Sequence, residues 1–212
     1  MNGGVTGEKI KIAVFVSGGG TNLQAIIDAE KSGILRDGKL ALVLSDNPSA
    51  YALTRATKAG IKAVVVEKKA SQTEFEEQIS DVLEENDIEL IVLAGFLRIL
   101  GKDFVERYKD RIINVHPSLI PSFCGKGFYG LKVHERALAY GVKVTGATVH
   151  FVNEIPDGGQ IIMQKAVPVK SGDTPETLQK RVMVEAEHKL LPRAVQSVCK
   201  NLRKTAKKKT KN

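Results

Sequence analysis

Cysteine is scarce in this chain of 212 residues, which has only Cys124 and Cys199. Two cysteines are far too few for a disulfide framework, so we expect a reducing compartment, with Cys124 as an uninvolved loop thiol. No apolar run approaches the roughly 20 residues that a membrane-spanning helix needs. Residues 1–9 also lack the apolar region of a secretory signal peptide. The chain is therefore expected to be cytoplasmic, with no membrane partner.

Acidic residues are absent from residues 200–212, a segment that carries seven of the 32 lysines and arginines. Because all 24 acidic residues lie before this segment, the rest of the chain has a net charge of only +1. Short basic ends are usually solvated, and they add weak, salt-sensitive attraction to polyanions. We predict a disordered basic tail over residues 200–212 and no specific nucleic-acid partner.

Short β-branched runs alternate with helix-like stretches along the chain, a pattern typical of α/β proteins. It predicts a Rossmann-like, mostly parallel twisted sheet with helices on both faces. Five strands are predicted first, at 11–16, 40–45, 62–67, 90–95 and 111–116. Two further strands, predicted antiparallel, and a long helix follow, at 143–152, 160–169 and 174–198. Pro192 is expected to kink or split this helix, because proline lacks an N–H donor.

Three consecutive glycines open the stretch SGGGTNL (17–23), between the first predicted strand and the first predicted helix. A phosphate can bind at such a place, where backbone N–H groups meet the positive end of a helix dipole. A dinucleotide site needs G-x-G-x-x-G, and Leu23 stands where the third glycine belongs. The acid after the second strand, Asp46, gives a dinucleotide site only weak support, because it comes later than that fingerprint expects. A single phosphate is therefore favoured, and a plain turn capped by Thr21 or Asn22 is the alternative.

Polar residues end the fifth predicted strand, in the stretch NVHPSLIP (114–121). Asn114 and His116 point to the same face of the strand, and Pro117 ends it. Open α/β sheets bind ligands beyond the carboxyl ends of their strands. Asparagine can donate to a developing oxyanion and histidine can exchange a proton near neutral pH, so the pair is a candidate catalytic site. A polar strand terminus that caps a turn is the alternative interpretation.

Asp157, in the turn IPDGG, is the natural third member of this candidate site. Turn chemistry alone explains the neighbouring proline and glycine. A carboxylate near His116 would raise the pKa of the imidazole and favour its charged form. The sequence does not show whether the two side chains meet.

Four stretches, SGGGTNLQAII, LAGFLRIL, NVHPSLIPSF and GATVHFV…DGGQII, closely resemble the glycinamide ribonucleotide formyltransferases. These are purine-pathway enzymes that use 10-formyltetrahydrofolate, and the resemblance runs from about residue 9 to about residue 195. The strand-end stretch alone marks the wider group of folate-dependent formyltransferases. The glycine loop points to the glycinamide ribonucleotide branch.

The resemblance implies a role for each matching residue. The implied catalytic residues are Asn114, His116 and Asp157. The implied contacts to the ribonucleotide are Gly20, Thr21, Asn22 and Glu187. The implied contacts to the folate are Gln72, Leu97, Arg98, Ile99, Leu100, Asn114, Asn153, Glu154, Ile155, Pro156 and Asp157.

The chain departs from the family pattern in three places. Some relatives have an arginine near position 72 for the glutamyl tail of the folate, where this chain has Gln72, with Lys68 or Lys69 as possible substitutes. The loop CGKGFYGLKVH is longer than in some relatives, which leaves its substrate contacts open. The spacing over residues 182–187 is shifted by one residue, and the assignment of Glu187 depends on it.

The resemblance also implies an organisation and a reaction. Residues 1–8 would be a flexible N-terminus and residues 9–199 a single formyltransferase domain, with a phosphate-binding half (9–118) and a folate-binding and catalytic half (119–199). The formyl group of 10-formyltetrahydrofolate would pass to the amine of glycinamide ribonucleotide. No metal is expected, because the four histidines lack zinc-ligand spacing. The chain is expected to be a monomer or a homodimer.

Three rival functions remain to be compared with this one. A methionyl-tRNA formyltransferase shares the strand-end motif but would carry an additional tRNA-binding domain, for which 212 residues leave no room. A formyltetrahydrofolate hydrolase also shares it, but usually has a regulatory domain before the catalytic one, whereas the first strand here is predicted near residue 10. An NAD-binding or nucleotide-sensing module without catalysis is the third rival, and Leu23 argues against it.

Overall fold

The computed structural model describes residues 8–209, and its strands form a seven-stranded sheet in the order β3-β2-β1-β4-β5-β6-β7. The strands are β1 (Ile10–Val16), β2 (Gly38–Ser45), β3 (Lys62–Val65), β4 (Leu90–Leu93), β5 (Ile112–His116), β6 (Val144–Phe151) and β7 (Ile161–Pro168). Strands β1 to β5 are parallel to one another, whereas β6 runs antiparallel to β5 and β7. The predicted α/β fold with antiparallel C-terminal strands is confirmed.

Helices cover both faces of this sheet. They are α1 (Thr21–Lys31), α2 (Tyr51–Lys58), α3 (Gln72–Glu85), α4 (Lys102–Arg107), α5 (Leu131–Tyr140), α6 (Pro175–Val182) and α7 (His188–Lys209). A first apolar layer packs one face against α1, α2, α6 and α7, and a second packs the other face against α3 and α4. Within β1, Ile12 and Val14 enter the first layer while Ala13 and Phe15 enter the second, because successive side chains of a strand alternate between faces.

The position of β1 between β2 and β4 creates the crevice that matters for function. The chain winds to opposite sides from this point, so the loops after β1 and β4 separate at the carboxyl edge of the sheet. Ser17 connects these two loops: its N–H donates to the Gly95 carbonyl at 3.1 Å, and its Oγ accepts from the Leu97 N–H at 3.0 Å. Because Asn114 and His116 end β5 at the same edge, the topology brings all three sequence motifs together.

The C-terminal helix is interrupted earlier than Pro192, where the break was predicted. A π-helical turn at Met183–Glu187 separates α6 from α7, and the His188 N–H donates to the Met183 carbonyl five residues back. Helix α7 then continues through Pro192. The extra residue of the turn, rather than the proline, divides the helix.

Helix α7 also continues to Lys209, ten residues into the segment that we expected to be a disordered tail. Leu202 packs against the first apolar layer and Arg203 pairs with Asp37, which gives this basic stretch tertiary support. Residues 210–212 of that tail, and residues 1–7 of the expected flexible N-terminus, lie outside the described residues. Within residues 8–209, no helix has both the length and the apolar character to cross a bilayer.

Candidate active site at the carboxyl edge of the sheet

The pairing of β5 with β6 positions the first candidate side chains. Asn114 lies opposite His150 and His116 lies opposite Thr148, so these side chains project from the same face of the sheet. The Asn114 Nδ2 atom lies 3.2 Å from His150 Nε2. Two neighbouring strands therefore supply an amide and two imidazoles at one edge.

Asp157 reaches this cluster from the loop after β6. Its Oδ2 lies 3.5 Å from His116 Nδ1 and accepts from the Gly125 N–H at 2.9 Å. Its Oδ1 lies 3.5 Å from His150 Nε2 and 3.4 Å from the Asn114 Nδ2 donor. The three side chains predicted to act together, far apart in sequence, thus meet around one carboxylate.

The Asp157 carboxylate is held in its charged form. Burial by itself would raise its pKa, but the hydrogen bond from His150, the charge of His116 and the Gly125 N–H together outweigh burial and lower the pKa below its usual value. Asp157 is therefore ionised at neutral pH and able to accept a proton.

The pKa of His116 is lowered overall, although the contribution of Asp157 raises it, as predicted. Burial, which disfavours the charged imidazole, outweighs the opposing effects of Asp157 and the Phe123 carbonyl, and His150 lowers the pKa further. Only 4% of His116 is exposed. Its Nε2 lies 2.9 Å from the Phe123 carbonyl, which can only accept, so Nε2 donates this hydrogen bond.

His150 belongs to this cluster, and sequence reasoning missed it. Its Nδ1 lies 2.8 Å from the Phe151 carbonyl, and its Nε2 lies 3.2 Å from the Asn114 amide nitrogen and 3.5 Å from Asp157 Oδ1. The sequence placed His150 in the motif GATVHFV, but its role depends on the register of β6 against β5. Pairing the two strands antiparallel so that Asn114 faces His150 is the signal that could have found it.

A hydrogen-bonded turn holds the loop that approaches His116. The Thr148 hydroxyl donates to the Ser118 carbonyl at 2.7 Å and accepts from the Ile120 N–H at 3.1 Å. On α5, His134 is fully buried, and burial, with repulsion from His116 when that ring is protonated, lowers its pKa to about 4. His134 is therefore neutral near pH 7.

The glycine loop offers open backbone at the start of α1. Gly20 is the N-cap residue, with φ +70°, and no side chain caps the helix, so neither Thr21 nor Asn22 has the capping role of the alternative interpretation. A Cβ at Gly18 or Gly19 would meet no atom within 4 Å. Uncapped N–H groups beside open space are the arrangement that binds a phosphate.

Two side chains of this loop contact the π-helical turn. The Thr21 hydroxyl donates to the Met183 sulfur at 3.2 Å, and Asn22 Nδ2 donates to Glu187 Oε2 at 2.6 Å. Burial raises the pKa of Glu187, and the bond from Asn22 opposes this only in part. The Asn22 Oδ1 atom is buried with no hydrogen-bond partner among the described residues. The predicted ribonucleotide contacts, Gly20 to Asn22 and Glu187, therefore adjoin one another.

The residues predicted to contact a folate line two facing segments. Leu97 and Ile99 after β4 are 65% and 67% exposed, and Ile155 after β6 is 60% exposed, so large apolar side chains border the crevice. The segments are joined by Lys102 and Glu154, whose charged atoms lie 3.2 Å apart. Exposed apolar side chains beside polar groups are typical of a small-molecule site.

The other predicted folate contacts lie at the borders of these segments. Gln72 Nε2 donates to the Ile99 carbonyl at 3.1 Å, and Leu100 packs against the second apolar layer. Arg98 donates to Asp46 at 2.7 Å, so the acid considered for a dinucleotide ribose is already paired. Asn153 accepts from the Ile155 N–H, and Pro156 lies in the turn before Asp157. Among residues 8–209, no group of three or more histidine, cysteine or acidic residues is arranged to hold a metal.

Known proteins share this sequence and this fold. Residues 10–195 match the formyl transferase family. The chain is 46% identical over 200 residues to the trifunctional purine biosynthetic protein adenosine-3 of Gallus gallus, a match that covers 93% of this chain and 19% of that protein. This chain thus spans about a fifth of the length of that relative. It is 42% identical to the phosphoribosylglycinamide formyltransferase of Haemophilus influenzae, with 86% of this chain and 84% of that protein covered.

Solved structures agree with the sequence matches. Glycinamide ribonucleotide transformylase 1 from Symbiobacterium toebii superimposes with a TM-score of 0.87 at 40% identity, covering 95% of this chain and 92% of that one. A formyltetrahydrofolate deformylase from Pseudomonas syringae superimposes with a TM-score of 0.81 at 26% identity, covering 92% of this chain but 62% of that one. The resemblance drawn from the four sequence motifs is confirmed, and the chain belongs to the formyl transferase family.

Proposed function

We propose that this protein transfers the formyl group of 10-formyltetrahydrofolate to the amine of glycinamide ribonucleotide, a step of purine biosynthesis. The observation that carries the proposal is the cluster of Asn114, His116 and Asp157 at the carboxyl edge of the sheet, with an open glycine loop beside it. The products are formylglycinamide ribonucleotide and tetrahydrofolate. The identity with relatives named for this activity supports the choice of substrates.

In this reaction, the substrate amine attacks the formyl carbon and the formyl oxygen becomes an oxyanion. The Asn114 amide and the Nε2–H of His116 are the donors available to that oxygen. In the resting site this Nε2–H donates to the Phe123 carbonyl, so the formyl oxygen takes the place of that acceptor. His116 needs no positive charge to donate, and the approaching oxyanion favours its protonation as the charge develops.

The Asp157 carboxylate supplies the proton transfer. After attack, the former amine nitrogen carries an extra proton, and the leaving nitrogen of the folate needs one. Asp157, ionised at rest, accepts the first and returns it to the second, directly or through a water. The bond from carbon to the folate nitrogen then breaks as the oxyanion collapses to the new amide.

The glycine loop and the segments after β4 and β6 would bind the two substrates. Gly20, Thr21 and Asn22 would bind the ribonucleotide phosphate through the start of α1, and Glu187 would contact the same substrate. The segments 97–100 and 153–157, with Gln72 at their border, would hold the folate between apolar side chains.

Hydrolysis of 10-formyltetrahydrofolate is the second candidate, because the deformylase from Pseudomonas syringae shares the fold. The two reactions differ in the acceptor, an amine in one and water in the other. A spectrophotometric assay of folate release, with and without glycinamide ribonucleotide, separates them. Release that requires the amine is expected, and release without it would establish the hydrolase.

His116→Ala tests the assignment of the site. We expect kcat to fall at least about a hundredfold, because one lost oxyanion donor typically costs about 2.7–4 kcal/mol. Glu135→Gln, on the exposed side of α5, serves as the matched control and should keep normal turnover. Near-normal turnover in His116→Ala would refute the role of this histidine.

We also infer a cytoplasmic location and a monomer or homodimer. Cys124 and Cys199 are both free thiols, as is usual in a reducing compartment. Light scattering on the purified chain measures the oligomeric state directly.

A further inference from the structure

The π-helical turn Met183–Glu187 is the part of the C-terminal helix that contacts the glycine loop. Its first residue, Met183, accepts from the Thr21 hydroxyl at 3.2 Å, and its last residue, Glu187, accepts from the Asn22 amide at 2.6 Å. Val184 and Glu185 between them are exposed to solvent. One turn of backbone therefore meets both polar side chains at the start of α1.

The turn holds one residue more than an α-helical turn would, and the sequence pattern shows why. Apolar residues are buried at every fourth position along this helix, at Leu178, Val182, Ala186, Leu190, Ala194 and Val198. An α-helix has about 3.6 residues per turn, so each step of four drifts by about 40° away from the core. A π turn, closed by a bond over five residues, takes up one surplus residue and returns the helix to the core face.

The same turn lies within positions 182–187, where the resemblance implies a spacing shift of one residue. Helix α6 keeps its own register up to Val182, and α7 keeps its own register from Glu187 onward. Glu187 belongs to the α7 side, because it lies one turn before Leu190 and Leu191, which are buried in the first apolar layer. The π turn takes up the surplus residue between α6 and α7, so the buried residues of both helices keep their positions.

We propose that the π turn is a positioning element for the glycine loop: it sets the rotation of Glu187 relative to Met183 at which Glu187 contacts Asn22 while Met183 contacts Thr21, and Met183 is a positioning residue for the bound ribonucleotide. Met183 acts through the Thr21 hydroxyl, whose orientation it sets. This inference rests on the proposed function for the identity of the ligand, while the contacts themselves are independent of it.

Two single-residue deletions distinguish this role from a merely structural one. Deleting exposed Val184 turns the π turn into an α turn, and Glu187 stays in the α7 register. Deleting the exposed Lys189 also removes one residue, so the helix can close as an α-helix while the apolar residues of α6 and of α7 stay buried. Glu187 then follows the α6 register, rotated by about 100° from Asn22.

Calorimetric titration with glycinamide ribonucleotide, without folate, measures the outcome. We expect the variant without Val184 to bind within about threefold of the intact chain, and the variant without Lys189 to bind at least about tenfold more weakly, about 1.4 kcal/mol. Binding of 10-formyltetrahydrofolate should be unchanged in both. Equal affinities in the two variants, weak or strong, would overturn the proposal.

Met183→Leu keeps the proposal testable if a deletion prevents folding. Leucine fills similar space but offers no sulfur to Thr21, so we expect the KM for the ribonucleotide to rise about threefold or more while kcat and the folate KM stay unchanged. Val184→Ala, in the same turn but facing solvent, is the control and should change none of these. An unchanged KM in Met183→Leu would refute the role of Met183.

The experiments also separate this inference from the proposed reaction. An intact chain that binds the ribonucleotide but transfers no formyl group would refute the reaction and leave the positioning role standing. An intact chain that transfers the formyl group, together with two deletion variants that bind the ribonucleotide normally, would support the reaction and refute the positioning role.

Discussion

The glycine loop and the strand-end cluster lie at the same edge of one sheet but are built in opposite ways. The loop presents backbone: Gly20 caps α1 without a side chain, and Gly18 and Gly19 face open space. In the cluster, the side chains already contact one another, with Asp157 within 3.5 Å of both His116 and His150.

This difference indicates a division of labour. An open backbone cradle gains its hydrogen bonds only when an anion arrives, so it contributes mainly to binding. A buried cluster with fixed donors is already oriented for a charge that develops during reaction, so it contributes mainly to rate. Changes in the cluster should therefore alter kcat, and changes in the loop should alter KM for the ribonucleotide.

The largest effect is expected from the cluster. Asn114→Ala and Asp157→Asn should each lower kcat at least about a hundredfold, through loss of an oxyanion donor or of the proton acceptor, with KM values changed little. Steady-state kinetics against both substrates checks this. Asp103→Asn, an exposed carboxylate on α4, is the control for Asp157→Asn. A change confined to KM would break the proposed division.

The cluster region should also make stability depend on pH. His134 is neutral in the folded protein, with a pKa of about 4, whereas an unfolded histidine titrates near 6.5. The unfolded chain therefore binds a proton at this histidine that the folded chain does not bind. The free energy of unfolding falls as the pH drops below about 6.5. Between pH 7 and pH 5 we expect His134 to cost about 2 kcal/mol of unfolding free energy.

Urea unfolding at these two pH values measures that loss. His134→Leu removes the titrating group, so its stability should fall less over the same range. The pKa of His116 is also lowered, so this histidine adds a further loss of unfolding free energy, which the intact protein and His134→Leu share. Identical losses in the two proteins would contradict the prediction.

The loop should be sensitive to its geometry. Gly20→Ala places a Cβ at φ +70° and 2.6 Å from the Ala52 Cβ, so we expect about 2 kcal/mol of destabilisation and weaker ribonucleotide binding. Gly18→Ala is the matched control, because its Cβ enters open space. Thermal unfolding and calorimetric titration measure the two effects. Equal behaviour of the two variants would show that the conformation at Gly20 is not required.

The smallest effect is expected outside both regions, at the ion pair between the segments after β4 and β2. Arg98→Ala removes the partner of Asp46, whose side chain is 7% exposed, and should lower the unfolding free energy by about 1 kcal/mol. The loss is limited because the Arg98 side chain is 39% exposed and its pair is screened by water. Urea unfolding measures the loss, and Lys102→Ala, at an exposed pair, should cost less. A larger loss in Lys102→Ala would reverse this order.

Much of the fold could be predicted because its signals are local. The apolar run of β1 has one interpretation, since a strand buried on both faces needs apolar residues throughout. The shared face of Asn114 and His116 follows from the two-residue period of a strand. The break in the C-terminal helix was misplaced at Pro192, because a missing N–H is visible in sequence while a surplus residue shows only against the packed core.

The sequence by itself determined the strands, the chemical groups at the carboxyl edge and the family, because apolar periodicity and motif spacing are properties of neighbouring residues. The tertiary structure decided that Asp157 and His150 meet Asn114, that Glu187 faces Asn22, and that His116 is neutral at rest. The first two depend on strand register and helix packing between residues far apart in sequence. The third depends on burial, which no spacing of residues encodes: desolvation outweighs the nearby carboxylate only once the core has closed around the ring.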